Sequence, residues 1–144
     1  GYPLMVLSEA SLEDLNGRIA EGNADGPSAI RQLPMNRFRP NLVVSGSDAF
    51  AEDGWTRIRI GDSIFRSTKP CERCVTTTVD QLRGEFDGKE PLRTLATYRM
   101  AKVVIPGKFD DLGVGANAVL FGQNLVAENA GALIKIGDTI EIVD

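Results

Sequence analysis

Apolar positions in this chain come in short bursts, many of them alternating with polar residues and separated by turn formers, a pattern of many short strands and few helices. Strands are predicted at Leu4 to Leu7, Pro40 to Ser45, Trp55 to Ile60, Ser63 to Ser67, Arg73 to Val79, Ala118 to Ala127 and Thr139 to Val143. Two stretches follow helical spacing instead. Ser11 can cap a helix running to about Ala20, with Asp14 three positions on and Leu12, Leu15 and Ile19 on its buried face. Glu90-Pro91 opens another, to about Arg99, with Leu92, Leu95 and Tyr98 facing inward. Gly22 to Pro27, Gly84 to Gly88 and Pro106 to Gly115 are rich in turn formers and charge. So many short strands favour a closed or nearly closed barrel over a layered α/β sheet, giving a mainly β fold with flanking helices, of the α+β class.

Composition narrows the range of functions. At 144 residues and 42% apolar content, the chain is read as one domain spanning residues 1–144 that buries its core without needing a disulfide. Its formal charge of −4 argues against a nucleic-acid surface or a polybasic membrane surface. No run of apolar residues is long enough for a membrane helix, and Gly1-Tyr2-Pro3-Leu4 does not read as a signal peptide, so the expected setting is cytoplasmic, with reduced thiols. The start without methionine and the end one residue after a predicted strand read as cuts from a longer chain. Histidine is absent, which excludes histidine-activated nucleophiles and histidine-ligated zinc or iron.

Three segments carry possible chemistry. In Met35 to Leu42, extended geometry before Pro40 would project Arg37, Arg39 and Asn41 from one face and Phe38 and Leu42 from the other. That face is either a guanidinium fork for a phosphate or carboxylate, or a solvated strand edge. Trp55 to Ile60 alternates in the same way, with Thr56, Ile58 and Ile60 opposite Trp55, Arg57 and Arg59, and a Gly61-Asp62 hairpin turn accounts for the pattern without any ligand. The two cysteines stand three apart in Lys69-Pro70-Cys71-Glu72-Arg73-Cys74. Pro70 should halt the preceding element, leaving Cys71 on a loop and Cys74 at the mouth of a β-branched strand, with Arg73 favouring the thiolate. One CxxC supplies only half a structural zinc site, and a thioredoxin-like pair would sit at a helix N-terminus. A soft metal held by one thiolate beside an anionic cofactor, and two unremarkable cysteines, both stay open.

Lys69-Pro70-Cys71-Glu72-Arg73-Cys74-Val75-Thr76-Thr77-Thr78-Val79-Asp80, followed by Lys89 to Leu95, Tyr98-Arg99 and Phe121-Gly122-Gln123-Asn124, closely resembles the MOSC domain, named after the C-terminal part of molybdenum cofactor sulfurases. Upstream, Leu7 to Leu12, Arg37 to Asn41 and Ala51 to Trp55 are similar to the branch that includes the mitochondrial amidoxime-reducing component and its bacterial relatives. The resemblance implies a MOSC-type β-barrel with flanking helices and a molybdenum cofactor, a molybdopterin, whose metal is ligated by Cys74, the implied catalytic and metal-binding residue. It further implies that Arg73 contacts the cofactor and that Arg39 and Asn41, with Arg37 beside them, lie near the pterin phosphate. Asn124 departs from a tyrosine, and Glu72 from a serine, found in related sequences.

The implied activity is reduction of N-hydroxylated or related N-oxygenated compounds, with electrons from a separate flavin or iron–sulfur protein and with an N-terminal domain of the same chain completing the cofactor site. A fragment lacking that domain is expected to bind cofactor weakly and to be inactive. Two other roles remain compatible with the residues. One is a sulfur or cofactor carrier with a Cys74 persulfide, as in MOSC domains fused to pyridoxal-phosphate-dependent sulfurases. The other is a non-catalytic anion-binding module using Arg37, Arg39 and Arg73.

Overall fold

The computed structural model describes residues 4–22 and 32–143. The chain runs β1 (Leu4–Ser8), α1 (Glu9–Gly22), β2 (Leu42–Val44), β3 (Arg57–Ile60), β4 (Ser63–Arg73), β5 (Val79–Asp80), β6 (Glu85–Phe86), α2 (Leu92–Leu95), α3 (Ala101–Val104), β7 (Val119–Ala127) and β8 (Ile140–Ile142), with 3-10 turns at Met35–Phe38, Ala51–Gly54 and Val75–Thr78. Six strands form one curled sheet in the order β2-β1-β7-β4-β3-β8, and β5 pairs with β6 in a separate ribbon. Among the described strands only β1 and β2 pair in parallel; the other pairs are antiparallel. The fold is therefore mainly β with flanking helices, as predicted. Its two edges, β2 and β8, do not pair with each other, so the described strands make a half-barrel.

β1 is apolar on both faces because both are covered. Met5 and Leu7 pack with Leu15, Ile19, Leu33, Phe38, Leu95 and Phe121, while Val6 packs with Val44, Trp55, Ile58, Ile60, Phe65 and Leu125. Gly61 has φ 56°, and it alone of the two turn residues has a positive φ, as a type II′ turn between β3 and β4 requires. Ile58 and Ile60 face inward and Arg59 outward, as predicted, but Trp55 is buried where the alternation puts it beside the arginines. It ends the Ala51–Gly54 turn ahead of β3, so the strand periodicity does not extend to it.

Three predictions fail. Pro70 does not halt the strand: β4 continues to Arg73, with shifts in its register against β7 between Ser67 and Lys69 and between Pro70 and Glu72. An irregular ladder is where a strand tolerates a proline, so Cys71 lies within the strand and not on a loop. Val75 to Thr78 then folds as a 3-10 turn, because Thr77 and Thr78 return their hydroxyls to the carbonyls of Cys74 and Val75, local bonds that compete with extension. The helix predicted from Glu90 to Arg99 shrinks to α2, followed by turns, with Leu95 still buried. α3 has no counterpart among the predicted elements. The turn predicted at Gly22 to Pro27 lies, beyond Gly22, outside the described residues.

The cap of α1 also differs from the predicted one. Ser8, not Ser11, caps the helix: its Oγ accepts from the Ser11 N–H at 3.1 Å. The return bond of a capping box comes from afar, since buried Glu52 accepts from the Ser8 N–H at 3.1 Å and from Ser11 Oγ at 2.8 Å.

Candidate functional site

Two of the predicted site residues, Arg73 and Cys74, stand at the end of β4. Arg73 pairs with Val119 as the last residue of the strand, and Cys74 follows it, exposed, in extended backbone. Cys74 Sγ lies 3.0 Å from Thr76 Oγ1. Hydrogen bonds from the Thr76 hydroxyl and from its backbone N–H hold the Cys74 thiol below its usual pKa, with the Arg73 charge a smaller contribution. The predicted assistance from Arg73 is therefore present but secondary, and Thr76 is the residue that sequence reasoning missed. The Thr76-Thr77-Thr78 run looks like strand, which hides a hydroxyl two positions beyond the thiol.

Arg73 has other partners. Its Nη1 donates to Cys71 Sγ at 3.0 Å, its Nη2 donates to the Phe38 carbonyl at 2.5 Å, and its guanidinium lies 5.6 Å from the centre of the Phe38 ring. Through the Phe38 carbonyl it holds the Met35–Phe38 turn against the end of β4. Phe38 anchors that turn from below, 4.7 Å from Phe121 between ring centroids.

That turn overturns the shared-face reading of Arg37, Arg39 and Asn41. The segment is 3-10, not extended, so its side chains do not alternate, and the predicted strand from Pro40 contracts to β2. Arg37 is buried, with Nη2 2.6 Å from Asp87. It lines a groove of about 250 Å³ together with Gln32, Asn36, Asp80, Leu82 and Asp87. Asn41 joins β2 to β1: its N–H donates to the Met5 carbonyl at 2.9 Å and its Oδ1 accepts from the Met5 N–H at 2.8 Å. Arg39 is exposed, in the left-handed region at φ 52°, with no ion pair among the described residues. A non-glycine residue in that conformation costs about 1–2 kcal/mol, which the Phe38 anchor and the Arg73 latch sustain. Arg39 thus follows the Phe38 carbonyl that Arg73 holds, whereas Arg37 and Asn41 bond within the fold.

The donor chemistry suits an anionic metal cofactor. Arg73 Nε and Arg37 Nη1 are buried without an acceptor, each lacking a bond worth about 1–3 kcal/mol. Among the described residues no cluster of three or more Cys, Asp or Glu side chains can hold a bare metal ion. A soft metal that brings its own ligands would need one accessible thiolate and nearby cations, and Cys74, Arg73 and Arg39 supply these.

Comparison with known proteins agrees with this chemistry. A family model for the MOSC domain matches residues 1–141. The chain is 40% identical over 141 residues to the human mitochondrial amidoxime-reducing component 1, covering 98% of this chain and 37% of that protein. It is 38% identical over 138 residues to the mitochondrial amidoxime reducing component 2 of Bos taurus, covering 96% and 36%. It is 39% identical over 127 residues to the molybdenum cofactor sulfurase of Oryza sativa subsp. japonica, covering 83% and 15%. The chain thus spans little more than a third of the length of the amidoxime-reducing components it matches.

Proposed function

The chain belongs to the MOSC domain family, and from that premise we propose that it is the molybdenum-cofactor-binding part of an oxidoreductase that reduces N-hydroxylated or related N-oxygenated compounds. MOSC domains of this kind occur in molybdenum-cofactor-related proteins, among them the amidoxime-reducing components and a molybdenum cofactor sulfurase. The observation that carries the proposal is the exposed Cys74 thiol, acidified by Thr76, at the end of a strand that also presents Arg73.

In this reading Cys74 would hold the metal as a thiolate, and Thr76 donates to the sulfur and favours its deprotonated form. Arg73 and Arg39 would meet the anionic tail of the pterin, with the Phe38 carbonyl holding the Arg73 guanidinium in place. Arg37, held by Asp87, positions the turn that carries Arg39, and Asn41 ties the same segment to β1. The bound cofactor would supply the two-electron redox chemistry. The net change is R–NH–OH plus two electrons and two protons to R–NH₂ and water. The electrons come from a separate flavin or iron–sulfur protein, and the remaining length of a protein like these relatives would supply the other walls of the cofactor site.

Metal and pterin analysis tests this reading. Full-length protein expressed with molybdate should carry both, and Cys74→Ser should lose molybdenum while keeping its circular dichroism and melting point, since the side chain is exposed. Retention of molybdenum by the mutant would refute it. The similarity to a sulfurase supports a second reading, in which Cys74 carries a persulfide. Mass spectrometry of intact protein then shows one added sulfur, removed by reductant, where a pterin complex shows none.

A further inference from the structure

A groove begins one residue beyond Cys74. It has a volume of about 470 Å³ and is walled by Val75, Thr78, Phe86 and Leu92, with Lys89 and Arg93 contributing cations. Its size falls within the roughly 300–1,000 Å³ of small-molecule sites, whereas the groove beside Arg37 is smaller and is lined by Asp80 and Asp87. Val75 is 54% exposed and Phe86 70% exposed. Single exposed apolar residues are ordinary, but these two share one concavity. Phe86 comes from the two-residue strand β6 and Val75 from the turn that also places Thr76 on the Cys74 sulfur. The same turn therefore carries one wall of the groove and sets the state of the thiol.

The charges in this groove are of one sign. Arg93 is committed to Glu90 at 3.0 Å, while Lys89 is exposed and makes no ion pair among the described residues. On a chain of net charge −4, an apolar cleft bearing a free ammonium favours a molecule that is flat and apolar along its body and anionic at one end.

We infer that this groove is the substrate subsite, that it receives the apolar body of the N-oxygenated substrate, and that Lys89 selects substrates bearing a carboxylate remote from the N–O group. This rests on the proposed function for its chemistry, but binding in the groove does not require a metal. A substrate whose apolar body lies against Val75 and Phe86 has the Lys89 ammonium on the same groove wall to meet its carboxylate.

The test is a titration of the isotopically labelled 144-residue chain with 4-carboxybenzohydroxamic acid and with its uncharged counterpart, 4-methylbenzohydroxamic acid, followed by amide NMR. Both should shift the amides of Val75, Phe86 and Leu92, the carboxylate binding up to about fivefold more tightly at low salt, the ceiling for an exposed ion pair. Lys89→Glu should erase or reverse that preference, and Phe86→Ala, also on the surface, should weaken both probes about fivefold. In molybdenum-loaded full-length protein, Lys89→Glu should raise KM for the carboxylated probe and leave kcat unchanged. No shift at about 10 mM probe, shifts centred elsewhere, or a preference that survives Lys89→Glu would overturn the inference. Cys74→Ser should bind both probes as the wild type does. Loss of groove binding therefore counts against the subsite alone, and retention of molybdenum by Cys74→Ser counts against the function alone.

Discussion

Replacing Asp53 should cost this fold more than any change at the exposed thiol. Asp53 accepts two bonds from Arg99, from Nη1 at 2.7 Å and from Nη2 at 3.1 Å, and a third from Gln123 Nε2 at 2.9 Å. Arg99 is buried, donates Nε to the Leu120 carbonyl at 3.0 Å and stacks 4.3 Å from the centre of the Phe50 ring. In Asp53→Ala that guanidinium keeps its place but loses its counter-charge. Breaking a buried pair from one side costs about 3–5 kcal/mol. The Arg99 side chain is 7% exposed but that of Asp53 is 23% exposed, which admits water and places the loss near 3 kcal/mol, at the low end of that range. Asp53→Asn keeps the shape and one acceptor but removes the charge, so it should lose about half as much. In urea, with a slope of about 2 kcal/mol/M, Asp53→Ala should lower the midpoint by about 1.5 M at unchanged slope, and the thermal midpoint should fall by about 10 °C. A loss below about 1 kcal/mol, or equal losses for alanine and asparagine, would refute the view that the charge of Asp53 holds Arg99 in the core.

Other substitutions probe the site and its supports. Thr76→Val removes the hydroxyl that stabilises the Cys74 thiolate, so the pKa read from the pH dependence of iodoacetamide alkylation in Cys71→Ser should rise towards that of a free thiol. The sign extends to stability: a lowered folded pKa stabilises the fold fully only above the free-thiol pKa, and the gain disappears as pH falls through the folded value, so Thr76→Val should matter least in acid. Gly122→Ala should cost about 2–3 kcal/mol in a denaturant melt, because φ is 91° and a Cβ would stand 2.6 Å from Met5 Sδ and 3.1 Å from the Val6 carbonyl. Asn16→Ala should cost about 2 kcal/mol, since the buried amide both donates to the Leu33 carbonyl at 3.1 Å and accepts from the Leu33 N–H at 2.8 Å. Faster amide exchange at Leu33 would report that loss.

What sequence reasoning could reach depended on the range of the interaction. β1, β7 and the β3–β4 turn are legible because an apolar run, a nine-residue strand and a glycine at a hairpin each declare themselves within a few residues. Pro70 misled because its tolerance depends on β7, nearly fifty residues away, where the ladder shifts register. The Arg37-Phe38-Arg39 segment misled for a similar reason. Burial of Phe38 against Phe121 and the bond from Arg73 to its carbonyl favour a turn over a strand, and neither partner is local. The motif residues also divide once their contacts are known. Asp53, Arg99 and Gln123, all within segments that carry the family resemblance, serve one buried network, while Cys74 and Arg39 stay exposed. Residue types at matching positions did not separate the groups that hold the fold from those left exposed.

The proposed function makes Cys74, and not its neighbour three residues earlier, the protein's bond to molybdenum. The most direct measurement is the molybdenum-to-protein ratio of full-length Cys71→Ser and Cys74→Ser, prepared in parallel with wild type. Cys71 accepts a bond from Arg73 inside β4, so its serine variant should keep the metal, and Cys74→Ser alone should lose it. Equal loss in both variants, or loss only in Cys71→Ser, would rule out Cys74 as the sole ligand from this chain.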